Sequence, residues 1–582
     1  MINDLIALFG KAYQQYGDKL ILDSYKPDDG LYIRVNEEGK WESLIIRKKE
    51  LYQGELYDWF KVADYNSCLV DMNKPVDPKK TIHSNNYLSF FIKKDILPFV
   101  GESEKKLTME SLYESINRYF DIFLKKLKER FDPESLKLLE SLEIEEIPAN
   151  KVTFNKNYLK TNIDNLLELV RDAKLGKKDY VKVFFNAVPE IFREENRRYL
   201  IPKIFNKNDF NIPFNNKTYG LSNNNMGLNA KKPYLELMST NFKVAFRVDL
   251  ESALLGKKFF DWLESQPVNY LYIPKDFDFI SGLNEINDKK EFFYLYFSRG
   301  TDITIEDFDY IPDFSEKIGF ILYNYLMLED GEKGAKIILD DDNSINTLWK
   351  LEDVVNGYLF CGRLKNSYYQ EPKVKSGEFT GKMLNVLIQS RKAFHDYFKK
   401  GIETSIRSIL DHSTLELIKA QVGLSEGMRF TKAARALNLR LSLLKHFNLG
   451  GGNMGDKIKN IFNELTLKLS SDGLMVCENE DEFYFLAGQL AYYLLSQSKS
   501  SFKTHGMAEP FLRVKNLEQL KRQLGFVYDQ YKHAIPLNSL RFNNAMAAVK
   551  GFEVDSQSKV NDDLFLAGFM AKNIFYTKKK EA

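Results

Sequence analysis

The chain has 582 residues, and its 83 Lys+Arg stand against 81 Asp+Glu for a formal net charge of +2. Its composition, 44% hydrophobic and 28% charged, excludes a largely disordered polymer, and the near-neutral total by itself advertises no nucleic-acid partner. Three cysteines far apart, Cys68, Cys361 and Cys477, exclude a disulfide framework and a zinc knuckle and suit a reducing cytoplasm.

At about 150 residues per domain the length implies three or four structural units, each able to bury a core. From the N-terminus to about residue 375, short strand-like runs alternate with helices. Leu31–Val35, Ser43–Arg47, Tyr180–Phe185, Tyr270–Pro274 and Ala335–Leu339 are short and rich in β-branched and aromatic residues, which predicts strands. Long helical patterns cover Glu110–Arg130 and Thr161–Lys174. Asn, Gly, Lys and Pro cluster from Asn206 to Pro233, predicting a long loop or several turns.

After Gly381 nearly every segment reads as helix: 383–400, 404–421, 428–447, 456–470, 480–499, 516–533, 538–550 and 561–577. Breaks fall at Gly450-Gly451-Gly452-Asn453 and Asp472-Gly473. The predicted fold class is therefore α+β, a mixed α/β N-terminal part followed by an all-α C-terminal helical bundle. Residues 381–582 hold 29 Lys+Arg against 20 Asp+Glu, and five of the six histidines. The near-zero total thus conceals an acidic first part and a basic second part, a hint of nucleic-acid contact or ordinary variation along a long chain.

Within the helical part, Phe430, Ala434, Leu437, Leu441 and Leu444 form one stripe, while Arg429, Lys432, Arg435 and Arg440 share another face that Leu439 and Leu443 interrupt. Such a basic face tracks phosphates or is simply solvated. The segment Phe483–Leu495 is apolar nearly all round, which marks a central helix or one covered by another subunit. Phe485-Leu486-Ala487-Gly488 recurs as Phe565-Leu566-Ala567-Gly568, as expected of two helices whose small residues let neighbours approach closely. The longest uncharged run, Phe483–Ser498, has 16 residues, short of a membrane span, and Met1-Ile2-Asn3-Asp4 does not open a secretory signal.

No motif for catalysis emerges. Gly377-Glu378-Phe379-Thr380-Gly381-Lys382-Met383 is one residue short of a phosphate-binding loop and lacks its hydroxyl. His395-Asp396 stands without further ligands at helical spacing, and the acidic runs Asp340–Asp342 and Glu478–Glu482 read more simply as helix caps than as a cation site. The expectation is no enzyme, no cofactor and no metal.

The block Glu482–Lys499, followed by His505, Pro510-Phe511-Leu512 and Tyr531-Lys532-His533, resembles the C-terminal region of the large subunit of the type I-B CRISPR Cascade effector complex. Asp64-Tyr65-Asn66-Ser67, His83–Phe91, Gly227–Ala230 and Pro233-Tyr234-Leu235 resemble the same family. The resemblance implies a non-catalytic subunit that recognises the protospacer-adjacent motif in duplex DNA, aids R-loop formation and helps recruit a helicase–nuclease. Sequence reading would be left mainly to guide–target pairing. Implied partners are the CRISPR RNA, double-stranded target DNA with its displaced strand, and the Cascade backbone and small subunits, all in the cytoplasm and away from membranes. Implied regions are 1–380 for motif and guide-handle contact, 381–453 as helical connector, and 454–582 as a bundle resembling the small subunit. The family also implies an internal start. Met454 follows three glycines, whose codons can supply a ribosome-binding sequence, and its product would span residues 454–582; alternatively the glycines only form a flexible loop.

For motif reading the loop 215–232 offers Asn223, Asn224 and Asn225 as paired donors and acceptors, with Lys231 and Lys232 for phosphates, although a surface turn explains these residues as well. Asn85 and Asn86 are a second choice. For the displaced strand the candidates are Arg429, Lys432, Arg435, Arg440, Lys499, Lys503, Arg513, Lys515, Lys521, Arg522, Lys532 and Arg541. Rival classes are a metal-dependent nuclease or phosphodiesterase, and a purely structural scaffold.

Overall fold

A computed structural model describes residues 2–140, 146–222, 247–275, 290–300, 302–328, 343–372, 379–424, 430–449, 454–469, 475–499, 507–553 and 559–576. The chain is mixed α and β with a helical C-terminal region. It divides into two compact units, one of Met1–Glu285 and Phe292–Tyr310, the other of Ile286–Glu291 and Ile311–Ala582.

The first unit is organised by a four-stranded sheet of β1 (Gly30–Val35), β2 (Trp41–Ile46), β3 (Ser89–Lys93) and β4 (Tyr180–Phe185), in the order β2-β1-β4-β3. β1 runs parallel to β4 from Gly30↔Tyr180 to Val35↔Phe185, and the two outer pairings are antiparallel. Alternate residues of β4 are buried on both faces, because helices cover both. One covering helix, Met109–Leu124, buries Leu112, Ile116, Tyr119, Phe120 and Phe123 at helical spacing and starts where Thr108 Oγ1 accepts from the Ser111 amide at 3.1 Å. Lys182, on the central strand, is offset by a buried Asp64 carboxylate at 2.6 Å and lies between the rings of Tyr32 and Phe91.

Four of the five expected strands form within a residue or two of their predicted limits; Ala335–Leu339 lies outside the described residues. The helix expected over Glu110–Arg130 breaks at Lys125, which is extended, and resumes as one turn, Leu127–Arg130. The pattern over Thr161–Lys174 is realised as Ala149–Thr161 and Ile163–Asp172. The loop expected from Asn206 is not all loop. Ile212–Phe214 and Lys217–Gly220 pair as a hairpin, because Asn215 and Asn216 both take positive φ (47° and 59°) and turn the chain in two residues.

In the second unit a strand pair, Lys317–Ile321 with Ser344–Thr347, precedes the helices. The compact unit thus begins near residue 311, well before the change in composition at Gly381. The reason is local: Ser442 Oγ accepts from the Tyr323 amide (3.0 Å) and Asn438 Oδ1 from the Leu326 amide (3.1 Å), tying this segment to helix Thr431–His446. All eight expected helices form. Asn479, Asn516 and Asn561 cap theirs by accepting from the amides of Glu482, Gln519 and Leu564. The run Glu478–Glu482 does cap a helix, Glu480–Ser496, and Glu482 is buried against Lys468 at 2.7 Å. The last helix stops at Met570 rather than 577, because Gln489 accepts the Ile574 amide (2.8 Å) and its carbonyl accepts from Asn573 Nδ2 (2.9 Å).

The repeated Phe-Leu-Ala-Gly marks a close crossing. Helices Glu480–Ser496 and Asp562–Met570 meet at Gly488 and Gly568. A Cβ on Gly488 would lie 2.2 Å from the Phe565 carbonyl oxygen, and one on Gly568 2.0 Å from that of Phe485. Gln489 Nε2 donates to the Gly568 carbonyl in the same seam.

Candidate nucleic-acid interface

The candidate residues separate by their surroundings. Asn223, Asn224, Asn225, Lys231, Lys232, Arg429 and Lys503 lie outside the described residues. Asn86 is fully buried, at 0% exposure, and Asn85, at 2%, lies in the lining of the cleft described below. Asn86 Nδ2 donates to Ser67 Oγ (3.0 Å) and Asn85 Oδ1 (2.8 Å), and Asn86 Oδ1 accepts from the Leu88 amide (3.0 Å) and Ser89 Oγ (3.0 Å). These amides satisfy a buried turn, so both donors and acceptors are already used.

Arg440 is likewise withdrawn, at 2% exposure. Its guanidinium forks onto Asp563 (2.7 and 3.0 Å) and also donates to Asp411 and to Thr414 Oγ1. Leu439 and Leu443 are buried too, so helix Thr431–His446 has no continuous basic face; the apolar stripe from Phe430 to Leu444 is buried as expected. Lys521 is buried and donates to the Phe552 carbonyl. Arg513 and Lys532 are exposed but paired, with Glu509 and Asp529. Arg541 and Arg435 are half-buried. Lys432, Lys499, Lys515 and Arg522 are exposed, and none forms an ion pair with a described residue.

A different set of cations converges in the first unit, around a cleft of about 570 Å³. One wall is the segment Asn73–Val76, anchored next door by Asp77, whose buried carboxylate takes the amides of Thr81 (2.8 Å) and Ile82 (3.1 Å) and Nε of Arg118 (2.7 Å). The opposite wall is the end of helix Pro189–Leu200 and the 3₁₀ turn Ile201–Lys203. Below them Leu138, Leu139, Leu200, Ile201, Ile204 and Phe205 form a small apolar core. The third side carries Phe123, Arg130 and Phe131.

The walls are stitched by main-chain acceptors. Lys203 Nζ donates to the carbonyls of Lys74 and Pro75 (both 3.0 Å), Lys74 Nζ to that of Lys203 (2.6 Å), and Tyr199 OH to that of Lys74 (2.9 Å). Neither ammonium group meets a carboxylate among the described residues. An ammonium has three donors, so Lys203 retains one for a ligand. Arg130 lies 5.0 Å over the Phe123 ring and 5.2 Å over the Phe131 ring, its Nε buried with no hydrogen-bond partner among the described residues. The carboxylates nearby are occupied: Glu195 with Arg198 (3.1 Å), Asp209 with Lys207, and Asp132 with the Ser135 amide and hydroxyl (2.9 and 2.6 Å).

Burial therefore acts on cations that form no ion pair among the described residues, opposed by the attraction of Asp71 on Lys74 and of Glu195 on Arg130. Desolvation brings Lys74 down to about 8. Desolvation, then repulsion from Lys74 and Arg130, brings Lys203 down to about 7. Arg130 falls to about 10, again mainly through desolvation, and stays charged at neutral pH. Such a cleft has the charge and the directed N–H donors that contact with a phosphate requires.

Sequence reasoning missed this trio because Lys74, Arg130 and Lys203 lie far apart in the acidic part of the chain, each among ordinary polar neighbours. The only local signs are Pro75 and Pro202, which fix the backbone beside the two lysines. Comparison of the chain with family models, characterised proteins and solved structures finds no match.

Proposed function

We propose that the chain is the non-catalytic large subunit of a type I-B CRISPR-RNA-guided DNA surveillance complex. In this reading it recognises the protospacer-adjacent motif, helps open the duplex and recruits the helicase–nuclease, in the cytoplasm and beside backbone and small subunits. The observation that carries the nucleic-acid part is the trio Lys74, Arg130 and Lys203, three cations lining one cleft and none of them in an ion pair with a described residue. A phosphate backbone offers the missing charge. The exposed cations Lys432, Lys499, Lys515 and Arg522 are the members of the displaced-strand set that the surface leaves open to a strand. A separate small subunit beginning at Met454 would carry the whole of helix Met454–Lys468.

The test is binding of duplexes with varied flanking motifs by the chain assembled with guide RNA and backbone subunits, over a series of salt concentrations. The expected result is motif-dependent binding that weakens steeply with salt, with a shallower slope for Lys74→Gln/Arg130→Gln. Divalent-metal-dependent cleavage by the chain alone would replace this reading with a nuclease. A flat salt response with no effect of the variants would replace it with a scaffold.

A further inference from the structure

We propose that the cleft formed by Lys74, Arg130 and Lys203 takes the terminal phosphate of a nucleic-acid strand, a phosphomonoester, in preference to a phosphodiester within a strand. The proposal rests on the reading that the chain binds nucleic acid, and it adds which part of the polymer enters the cleft.

Charge argues for it first. The other ionic groups of the lining are matched within the lining, Lys207 with Asp209 and Arg198 with Glu195, and the one further carboxylate, Asp132, already accepts two hydrogen bonds from Ser135. Once the negative charge of Asp132 is counted, two positive charges remain in surplus, shared by Lys74, Arg130 and Lys203. A phosphodiester brings one negative charge, whereas a phosphomonoester brings about 1.5 to 2 near neutral pH and a third terminal oxygen to accept a hydrogen bond. The surplus matches the second better than the first.

Shape argues for it next. The wall at Lys74–Pro75 is tied to the wall at Tyr199–Lys203 by the four hydrogen bonds from Lys74, Tyr199 and Lys203. Walls joined in this way close the cleft on that side, a shape that suits a strand end entering and stopping there. The cleft volume of about 570 Å³ lies within the range of sites that hold one small ligand. Arg130 supplies the readiest donors, since its orientation is set by two aromatic rings and not by an internal carboxylate.

The same geometry predicts an unusual pH response. Lys203 faces Lys74, Arg130 and the ring of Tyr199, so the groups around it repel its proton or are neutral. With Lys203 brought down to about 7 and Lys74 to about 8, the trio is fully charged only toward the acid side of neutrality. Sulfate keeps two charges across this range and serves as a probe that does not itself titrate. Its affinity should fall about tenfold or more from pH 6 to pH 9, where exposed lysines would stay charged.

The deciding experiment compares one short strand bearing a 5′-phosphate, a 3′-phosphate or only hydroxyl ends, by fluorescence anisotropy on the full chain, together with calorimetric titration of sulfate. One phosphorylated end should bind about tenfold or more tightly than the hydroxyl strand. Arg130→Gln breaks no internal hydrogen bond of the described residues and should abolish that preference; Lys203→Arg should retain it and move the sulfate profile to higher pH. Equal binding of all three strands, weakened alike by Arg130→Gln, would overturn the end-specific site and leave the nucleic-acid reading standing. Equal binding that Arg130→Gln does not change would overturn both. A preference that survives in Arg130→Gln would place the phosphate elsewhere and overturn the assignment to this cleft. A flat sulfate profile from pH 6 to pH 9 would also overturn it, as the mark of an adventitious ion only.

Discussion

The crossing at Gly488 and Gly568 supports a quantitative prediction. In Gly488→Ala the new Cβ would stand 2.2 Å from the Phe565 carbonyl oxygen and 2.6 Å from the Phe569 nitrogen; in Gly568→Ala it would stand 2.0 Å from the Phe485 oxygen. All of these are backbone atoms, so no side-chain rotation relieves the overlap. The two helices must separate by about 1 Å to restore ordinary contact, a strain of about 3 kcal/mol by comparison with overpacked cores. Separation also loosens the bond from Gln489 Nε2 to the Gly568 carbonyl, about 1 kcal/mol. Replacing glycine inside a helix returns about 1 kcal/mol of backbone propensity. Each variant should therefore lose about 3 kcal/mol locally. Once the helices have moved apart for one alanine the second fits in the same gap, so the double variant should cost little more than either single one. Global unfolding of a chain with two units is not two-state, so the measure is native-state hydrogen exchange in peptides from 483–495 and 563–570. Protection there should drop about a hundredfold in each single variant. Wild-type protection in the singles, or fully additive losses in the double, would refute the account of the crossing.

Three further outcomes follow from the same contacts. Arg440→Ala leaves Asp563 without its partner in a mostly buried site and should cost about 3–5 kcal/mol, read as lost exchange protection in 403–424, 431–446 and 562–570; a stable variant with weakened DNA binding would restore Arg440 to the strand-binding set. Asn86→Ala strands the Leu88 amide and Ser67 hydroxyl in the core and should cost about 2–4 kcal/mol, visible as a lower melting temperature; a variant that melts normally but reads flanking motifs differently would contradict its structural role. Replacing the Met454 codon with one for leucine should remove a short C-terminal fragment from expression gels while full-length chain persists, and persistence of the fragment would exclude that start.

Element positions were legible where periodicity and local chemistry agree. β4 lies where its β-branched and aromatic run predicts it, and the helices after Gly381 start within a few residues of their apolar patterns, with asparagine caps at three starts. The Phe-Leu-Ala-Gly recurrence pointed to close approach at both helices, because glycine at a crossing has a backbone cause, but not to their meeting each other. What tertiary packing decides was not legible. Arg440 looked like one more charge on a basic face, and only the approach of the helix bearing Asp563 turns it into a core residue. Asn85 and Asn86 looked like free amides, and only the return of the chain beside Ser67 gives them partners. The cleft is the extreme case, since Lys74, Arg130 and Lys203 have no relation in sequence and acquire one from β-sheet topology and a helix end.

The charge asymmetry of the chain misdirects for the same reason. The basic C-terminal part suggested where phosphates would be held, yet several of its cations are consumed internally: Arg440 by Asp563, Lys521 by a carbonyl, Arg513 and Lys532 by neighbouring carboxylates. The acidic N-terminal part contains the cluster whose charge is left over. Net charge over a segment governs the field at long range, which salt screens within about 8–10 Å. A ligand in contact responds instead to charge that is uncompensated, partly desolvated and fixed in place, because there the attraction is least screened and the donors are already oriented. In the proposed reading the surplus charge of one cleft therefore outweighs a larger number of cations distributed over solvated helix faces, and a chain of net charge +2 needs no excess of basic residues to present an anion site.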